Sequence, residues 1–367
     1  ETANGVPLVL ETTSDTELMN NPRASVQQVY GRIMEDLDEA ITLLTGASAR
    51  ADKAEISVEV AYGLRARANL LMGKWAAAAS DAAKAYGTSA PYSVADVSQP
   101  TFYNATDNAW IWGIVVTTED YLAKTGIVNW PSNLCSLTGM GYTTAASATD
   151  VAYRLINKNL WAKIPETDVR KGWWVDEDLH SPVLDNGLGE DYAYYWANGM
   201  FNGGTFPSKF SPYTNVKFGP DNGTFADTDN AQDWPLMRVE EMKLIEAEAL
   251  GRDNLATGKQ KLEEFVRQYR DPSYTCTASS LDAFIDEVWF QRRVELWGEG
   301  FALFDILRLK KPIIRQGANY PINSTFAEIA AEAPIMIYRI PEAETSVNSA
   351  ITEADNNPAA MAPTPVN

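Results

Sequence analysis

Tyr192, Tyr194, Tyr195 and Trp196 place four aromatic rings within five positions, between Gly189 and Gly199, with Asp191, Asn198 and Asn202 alongside. That mixture suits one kind of chemistry. A pyranose has an apolar face of C–H groups, which a flat aromatic ring covers at low entropic cost. Its hydroxyls need carboxylate, amide or backbone partners, because polar groups desolvated without one are penalised. As a strand, the stretch would turn Tyr192, Tyr194 and Trp196 to one face and Tyr195 to the other. The competing reading is that one face packs into the protein. Trp130, beside Asn129 and Asn133 in a loop with a proline, is a second candidate ring. Of the remaining pairs, Trp110 and Trp112 read mainly as core, one of Trp173 and Trp174 as core, and Trp289 and Trp297 as structural.

A second constellation lies further on. Leu281, Phe284, Ile285, Val288, Trp289 and Leu296 recur three or four apart, one face of a helix. Ser279 and Asp282 have capping-box spacing at its start. Arg292, Glu295 and Glu299 continue the line of Val288. Charges on an apolar stripe must pair, since an unpaired buried charge is very costly. A buried ion-pair cluster is therefore favoured over a solvated face. Gly298 and Gly300 follow, and Pro312 stops the apolar surface that resumes at Phe301.

Composition excludes several functions. The chain has 367 residues, 45% hydrophobic and 22% charged, enough for a large core. A formal net charge of −19 argues against nucleic acid as a partner. Cys135 and Cys276 could pair but cannot make a zinc site alone, and His180 is the single histidine. Asp221, Asn222, Asp227, Asp229, Asn230 and Asp233 form an oxygen-rich cluster that could hold calcium. Their spacing is not that of an EF-hand, and a solvated acidic loop is the better reading. No cofactor is implied. There is no G-x-S-x-G, P-loop or H-E-x-x-H motif, and no carboxylate pair stands out for glycosidic cleavage. No apolar run is long enough to span a bilayer as a helix.

The elements that would hold these residues are mostly helical. Val26, Val29, Ile33, Leu37, Ile41 and Leu44 make a stripe over a helix from about Ser25 to Leu44. Two Ala-rich helices, Ser57–Met72 and Trp75–Tyr86, meet at Gly73-Lys74. Their small residues have the tetratricopeptide pattern, read here as a scaffold rather than a peptide groove. Trp110–Val116 is β-prone. Further helices are expected over Arg238–Leu250, ended by Gly251, and over Gly258–Tyr269. The fold class is mostly α: a tetratricopeptide-like scaffold with a loop-rich, partly β insertion. The expected divisions are a scaffold at 1–109, an insertion with the candidate ligand face at 110–234, further scaffold at 235–312, and a closing strand with a tail at 313–367.

The stretch QRRVELWGEGFALFDILRLKK resembles the C-terminal signature of the SusD/RagB family of outer-membrane glycan-binding lipoproteins from Bacteroidetes. Arg292, Arg293, Glu295, Leu296, Glu299, Gly300, Phe304, Asp305 and Arg308 match it. Gln291 stands where the family has an acid, and Ala302 where it has an arginine. PRASVQQVYGRIMEDLDEAITLL, Ile164–Arg170, Val216-Lys217-Phe218, Trp234–Arg238 and PIMIYRIP are also similar to family segments, in the family's order. The resemblance implies a non-catalytic protein that captures oligosaccharide or polysaccharide and delivers it to a SusC-like TonB-dependent transporter. It also implies a cell-surface position in the outer membrane, through a lipid anchor expected to be absent from this chain. GVPLVLET at the start resembles a stretch that follows the family's first helical section, so that section is expected to be missing. A helical glycoside hydrolase and a ligand-free interaction scaffold are the alternatives.

Overall fold

A computed structural model of the chain describes residues 2–124, 133–137, 153–200, 209–226, 230–320 and 328–359. The main elements run β1 (Asn4–Pro7), β2 (Arg23–Ser25), α1 (Val26–Leu44), α2 (Val58–Leu71), α3 (Trp75–Tyr86) and β3 (Trp110–Ile114). After these come α4 (Pro182–Leu188), α5 (Glu190–Ala197), β4 (Trp234–Arg238), α6 (Val239–Asp253), α7 (Leu255–Tyr269), α8 (Leu281–Glu295), α9 (Ala302–Arg308), β5 (Ile313–Ile314) and β6 (Glu328–Ile329). The strands pair two by two and antiparallel, β1 with β2, β3 with β4 and β5 with β6. Among the described residues the protein is mostly α, with small sheets only. The chain divides into two compact units, one of residues 46–302 and one of residues 1–45 with 303–367.

The 46–302 unit is built on α6. This helix packs against α2, α3, α7 and α8, so it is buried nearly all round. Its glutamates survive burial by pairing, as charges in a core must. Glu241 meets Arg67 at 2.6 Å, Glu248 meets Arg252 at 2.9 Å, and Glu246 accepts from the Tyr86 hydroxyl at 2.9 Å. The α2–α3 pair closes as the small-residue pattern predicts. Gly73 adopts φ 70°, its N–H donates to Leu70 O, and the Lys74 N–H donates to Asn69 O. That is a Schellman turn, and glycine supplies the positive φ it needs. Buried Ala66, Ala78 and Ala82 let the two helices lie close.

Gly251 does not end a helix, because α6 continues to Asp253. A Cβ on Gly251 would lie 2.1 Å from Phe284 Cε1, and one on Gly258 would lie 2.3 Å from the Gly251 Cα. Glycine here lets α6, α7 and α8 cross closely. The rest of this unit is an aromatic core of Phe102, Trp110, Trp173, Trp174, Phe218 and their neighbours. The region expected to carry short strands is held largely by the isolated bridges Leu155–Thr214, Trp174–Asn215 and Thr101–Phe218. Those segments are too irregular for a sheet, and ring packing supplements the bridges.

In the other unit, Ser25 caps α1. Its hydroxyl accepts from the Gln28 N–H, and the Gln28 side chain accepts from the Ser25 N–H. The apolar stripe of α1 is present, but Ile41 is its one buried residue. PIMIYRIP is not a strand. Pro334–Met336 forms a 3-10 turn, and Tyr338 beyond it is exposed. Proline at the first position favours that turn and removes a ladder donor.

Candidate functional site

The charged stripe of α8 is a closed structural centre. Ser280 rather than Ser279 caps the helix, accepting from the Ala283 N–H at 3.2 Å. Beyond it, Glu295 is fully buried, the Glu299 side chain is almost wholly covered, and the two meet cations from four other segments. Arg270 grips Glu295 through Nε at 2.8 Å and Nη2 at 2.9 Å. Arg238 bridges Glu299 at 2.8 Å, Glu240 at 2.8 Å and Glu295 at 3.3 Å. Arg170 reaches Glu295 at 3.4 Å and Asp168 at 2.6 Å. Lys217 Nζ donates to Glu299 Oε1 at 2.6 Å and to the carbonyls of Glu295 and Trp297.

Four cations thus face the four carboxylates of Asp168, Glu240, Glu295 and Glu299, and the charges balance. Burial pushes the Glu295 carboxyl up, but Arg270, Arg238 and Arg170 overcome that and hold it well below the ordinary range. Burial likewise opposes ionisation of Glu299, and Arg238 with Lys217 prevails. Burial pushes Lys217 down to about 8, with Glu299 opposing, so the ammonium persists at neutral pH. Its three donors match three acceptors. Gln291 accepts from Arg170 Nη2 at 2.6 Å and donates to Glu287. A neutral amide suffices there, because Arg170 already has two carboxylates.

Of the expected cluster of Arg292, Glu295 and Glu299, the two glutamates form ion pairs whose named partners come from other elements. Arg292 is buried, with its guanidinium 6.0 Å from the centre of the Phe301 ring. Reading α8 alone missed Arg170, Lys217, Arg238 and Arg270. The available signal was a lone cation inside each of the apolar runs Val216-Lys217-Phe218 and Met237-Arg238-Val239.

This centre positions the aromatic stretch. Arg170 and Lys217 anchor the two segments that carry Trp173, Trp174, Val216 and Phe218 into the core on which α4 and α5 pack. The stretch is helix α5, not a strand. Ala193, Trp196 and Ala197, at helical spacing, form its buried face, which outweighs the β-propensity of its rings. A Schellman turn closes it, with the Gly199 N–H to Trp196 O, the Met200 N–H to Tyr195 O, and Gly199 at φ 67°.

Trp196 is consequently no ligand platform. It is 1% exposed, its indole N–H donates to Ser136 O at 3.2 Å, and the Phe225 ring lies edge-on at 6.4 Å. Tyr192, Tyr194 and Tyr195 remain exposed at 59%, 58% and 47%. The rings of Tyr194 and Tyr195 touch edge to face, with centres 5.9 Å apart. Asn198 is half-buried, and its amide donates to the Tyr194 carbonyl at 3.0 Å, closing the helix end. Trp130 lies outside the described residues, as do Asp227 and Asp229. Among the described residues, no group of three His, Cys, Asp or Glu side chains is arranged to hold a metal ion.

The sequence model of the SusD family matches residues 143–358. Among solved structures, a SusD-like carbohydrate-binding protein from Bacteroides vulgatus is similar at 22% identity, with a TM-score of 0.72. The match covers 96% of this chain and 71% of that one. A SusD superfamily protein from Bacteroides thetaiotaomicron is similar at 20% identity over 98% and 72% of the two chains, with a TM-score of 0.70. A laminarin-binding SusD-like protein matches at 20% identity over 83% and 66%, with a TM-score of 0.51. These likenesses show a shared fold. No curated protein matches the chain.

Proposed function

The chain belongs to the SusD family, and from that premise we propose that it binds oligosaccharide or polysaccharide without cleaving it. It acts at the cell-surface face of the outer membrane, held by a lipid anchor, and passes its ligand to a SusC-like TonB-dependent transporter. No helix among the described residues is long and apolar enough to cross a membrane.

The observation that carries this reading is α5. Tyr194 and Tyr195 stand out from a helix whose opposite face is locked by Trp196, with Asp191 in its first turn. Rings fixed on a rigid element lose little entropy on contact with a sugar. Tyr192 and Asn198 stay in the proposed contact set, Trp130 remains a candidate outside the described residues, and Trp196 serves as the mount. That one similar fold is a laminarin-binding protein supports the ligand class.

A glycan array that includes laminarin tests the proposal, followed by titration calorimetry. Tyr194→Ala and Tyr195→Ala should each weaken binding by about 1–3 kcal/mol, as anchors do. Absence of binding to every glycan would overturn the reading, and release of new reducing ends would replace it with hydrolysis. Co-purification with the transporter tests the delivery step.

A further inference from the structure

We propose that a polar cavity of about 240 Å³ beside Tyr103, apart from the α5 tyrosines, is a subsite for one neutral pyranose unit. This rests on the glycan-binding reading above and adds a place and a charge preference to it.

The cavity lies between the turn at Tyr103 and Asn104, the chain leaving β3 at Val115–Thr118, and the turn at Asp221 and Asn222. It has room for about eight waters at ~30 Å³ each, and so for one ring with its hydroxyls. Its walls are fixed in advance. Asp233 accepts from the Ala105 N–H through one oxygen and from the Val116 N–H through the other, both at 2.8 Å, which ties two walls together. The Asn104 carbonyl accepts from the Thr106 N–H and hydroxyl, which orients its amide nitrogen. The Tyr103 ring lies against Gly219 and Gly223. A Cβ on Gly219 would come within 2.6 Å of Tyr103 Cδ1, so only glycine leaves room for the ring.

The lining then offers what a sugar needs. Tyr103 supplies a ring and a hydroxyl. Burial, with Asp107 and Asp221 nearby, pushes its phenol above the ordinary value, so it stays a donor. Asn104 and Asn222 add amides and Asp221 a carboxylate, which suits vicinal hydroxyls. Among the described residues, two aspartates and no lysine or arginine line the space. A carboxylate or sulfate on the sugar would meet the like charge of these aspartates, so the described lining selects against acidic sugars. The loop from Gly219 to Phe225 runs from Tyr103 to Trp196 beneath α5, placing the cavity and the exposed tyrosines on one continuous support.

The test uses the whole chain and the methyl glycosides of glucose, galactose, mannose, xylose, glucuronic acid and galacturonic acid, together with laminarin. Binding is read by titration and by the side-chain amide signals of Asn104 and Asn222 in nitrogen-correlated NMR. Asn222→Gly removes an exposed amide while tolerating the positive φ at that position. Asn104→Asp keeps the acceptor for Thr106 and removes the donor. At least one neutral sugar should shift both amide signals, each variant should weaken it about tenfold, and the uronic acids should bind at least tenfold more weakly. Circular dichroism confirms that the variants fold. The subsite is overturned if a glycan binds the wild type while both variants stay within twofold of it, or if uronic acids bind equally well. If no glycan on the array or in this panel binds the wild type at all, the broader glycan-binding reading falls and this subsite falls with it.

Discussion

The two compact units solve the problem of stability in opposite ways. Residues 46–302 build an Ala-rich helical core and an aromatic one, and bury a balanced ion cluster between segments. In residues 1–45 and 303–367, Ile41, Met336 and Ile351 are the buried apolar residues among those described. Leu43, Phe304 and Tyr338 are exposed at 71%, 62% and 84%. That unit is held by polar latches instead. Arg23 donates to the carbonyls of Asn4, Gly5 and Asp355 and to Asn357 Oδ1, and Asn21 and Asn348 exchange two hydrogen bonds. Hydrogen bonds contribute about 0.5–1.5 kcal/mol each, and an apolar core of this length contributes far more. The rigid unit therefore carries the mount for the candidate ligand surface, and substitutions should cost very different amounts in the two places.

The largest effect is expected at Glu295. Glu295→Ala removes the carboxylate shared by Arg170, Arg238 and Arg270 and leaves buried cations short of a partner. A loss of about 3–5 kcal/mol in denaturant unfolding should follow. A loss below about 1 kcal/mol would break the contrast. The same cluster sets a pH dependence. Glu295 and Glu299 sit below the unfolded carboxylate value of about 4.3. Their contribution is complete above that pH and is lost as pH falls toward their folded values. Glu240, raised by burial despite Arg238, acts in the opposite sense. Glu295→Gln should flatten the acid limb of the stability curve, and an unchanged limb would show that other groups dominate it.

Next in size is the helix crossing. Gly258→Ala puts a Cβ where the Gly251 backbone lies, and no side-chain rotation relieves a clash with backbone. Separation of α6 from α7 should cost about 1–3 kcal/mol. A variant that melts with the wild type would mean the crossing is looser than its geometry states.

How much of this was legible in the sequence follows from how far each interaction reaches. Helix positions and the Gly73 turn rest on local spacing, and the periodicity of Val26–Leu44 and the Ala-rich pair located them closely. Gly251 misled because a glycine at a helix end and a glycine at a helix crossing look alike in one dimension. Trp196 misled because ring density suggested a strand and a ligand, whereas the alanines at 193 and 197 mark a helix with a buried face. The stripe of charges showed that Glu295 and Glu299 must pair. It could not show with what, since Arg170 and Lys217 lie far away in sequence.

In the latched unit a smaller, local effect is expected. Arg23→Ala removes four donated hydrogen bonds that tie the first strand to residues near Asn357. Several are partly solvent-exposed, so water replaces much of what is lost, and the cost should be about 1–2 kcal/mol. Hydrogen exchange is the informative measurement. Protection should fall around Asn4–Pro7 and Asn356, while the amides of α6 keep theirs. Loss of protection in α6 would show that the two units unfold as one.

The smallest effect sharpens the contrast most, because the side chains involved are large. Leu43→Ser and Tyr338→Ser would each be serious in a core, where truncating a large apolar residue costs about 2–5 kcal/mol. At these exposed positions little apolar area is withdrawn from water on folding, so little is lost when it is removed. Each variant should stay within about 0.5 kcal/mol of the wild type in denaturant unfolding, the usual range for surface changes. Binding of a hydrophobic dye should fall in the same variants, since the surface that attracts it has been cut back. A cost near core values would mean that these side chains are covered in solution, and the division into an inward-packed unit and a latched one would have to be redrawn.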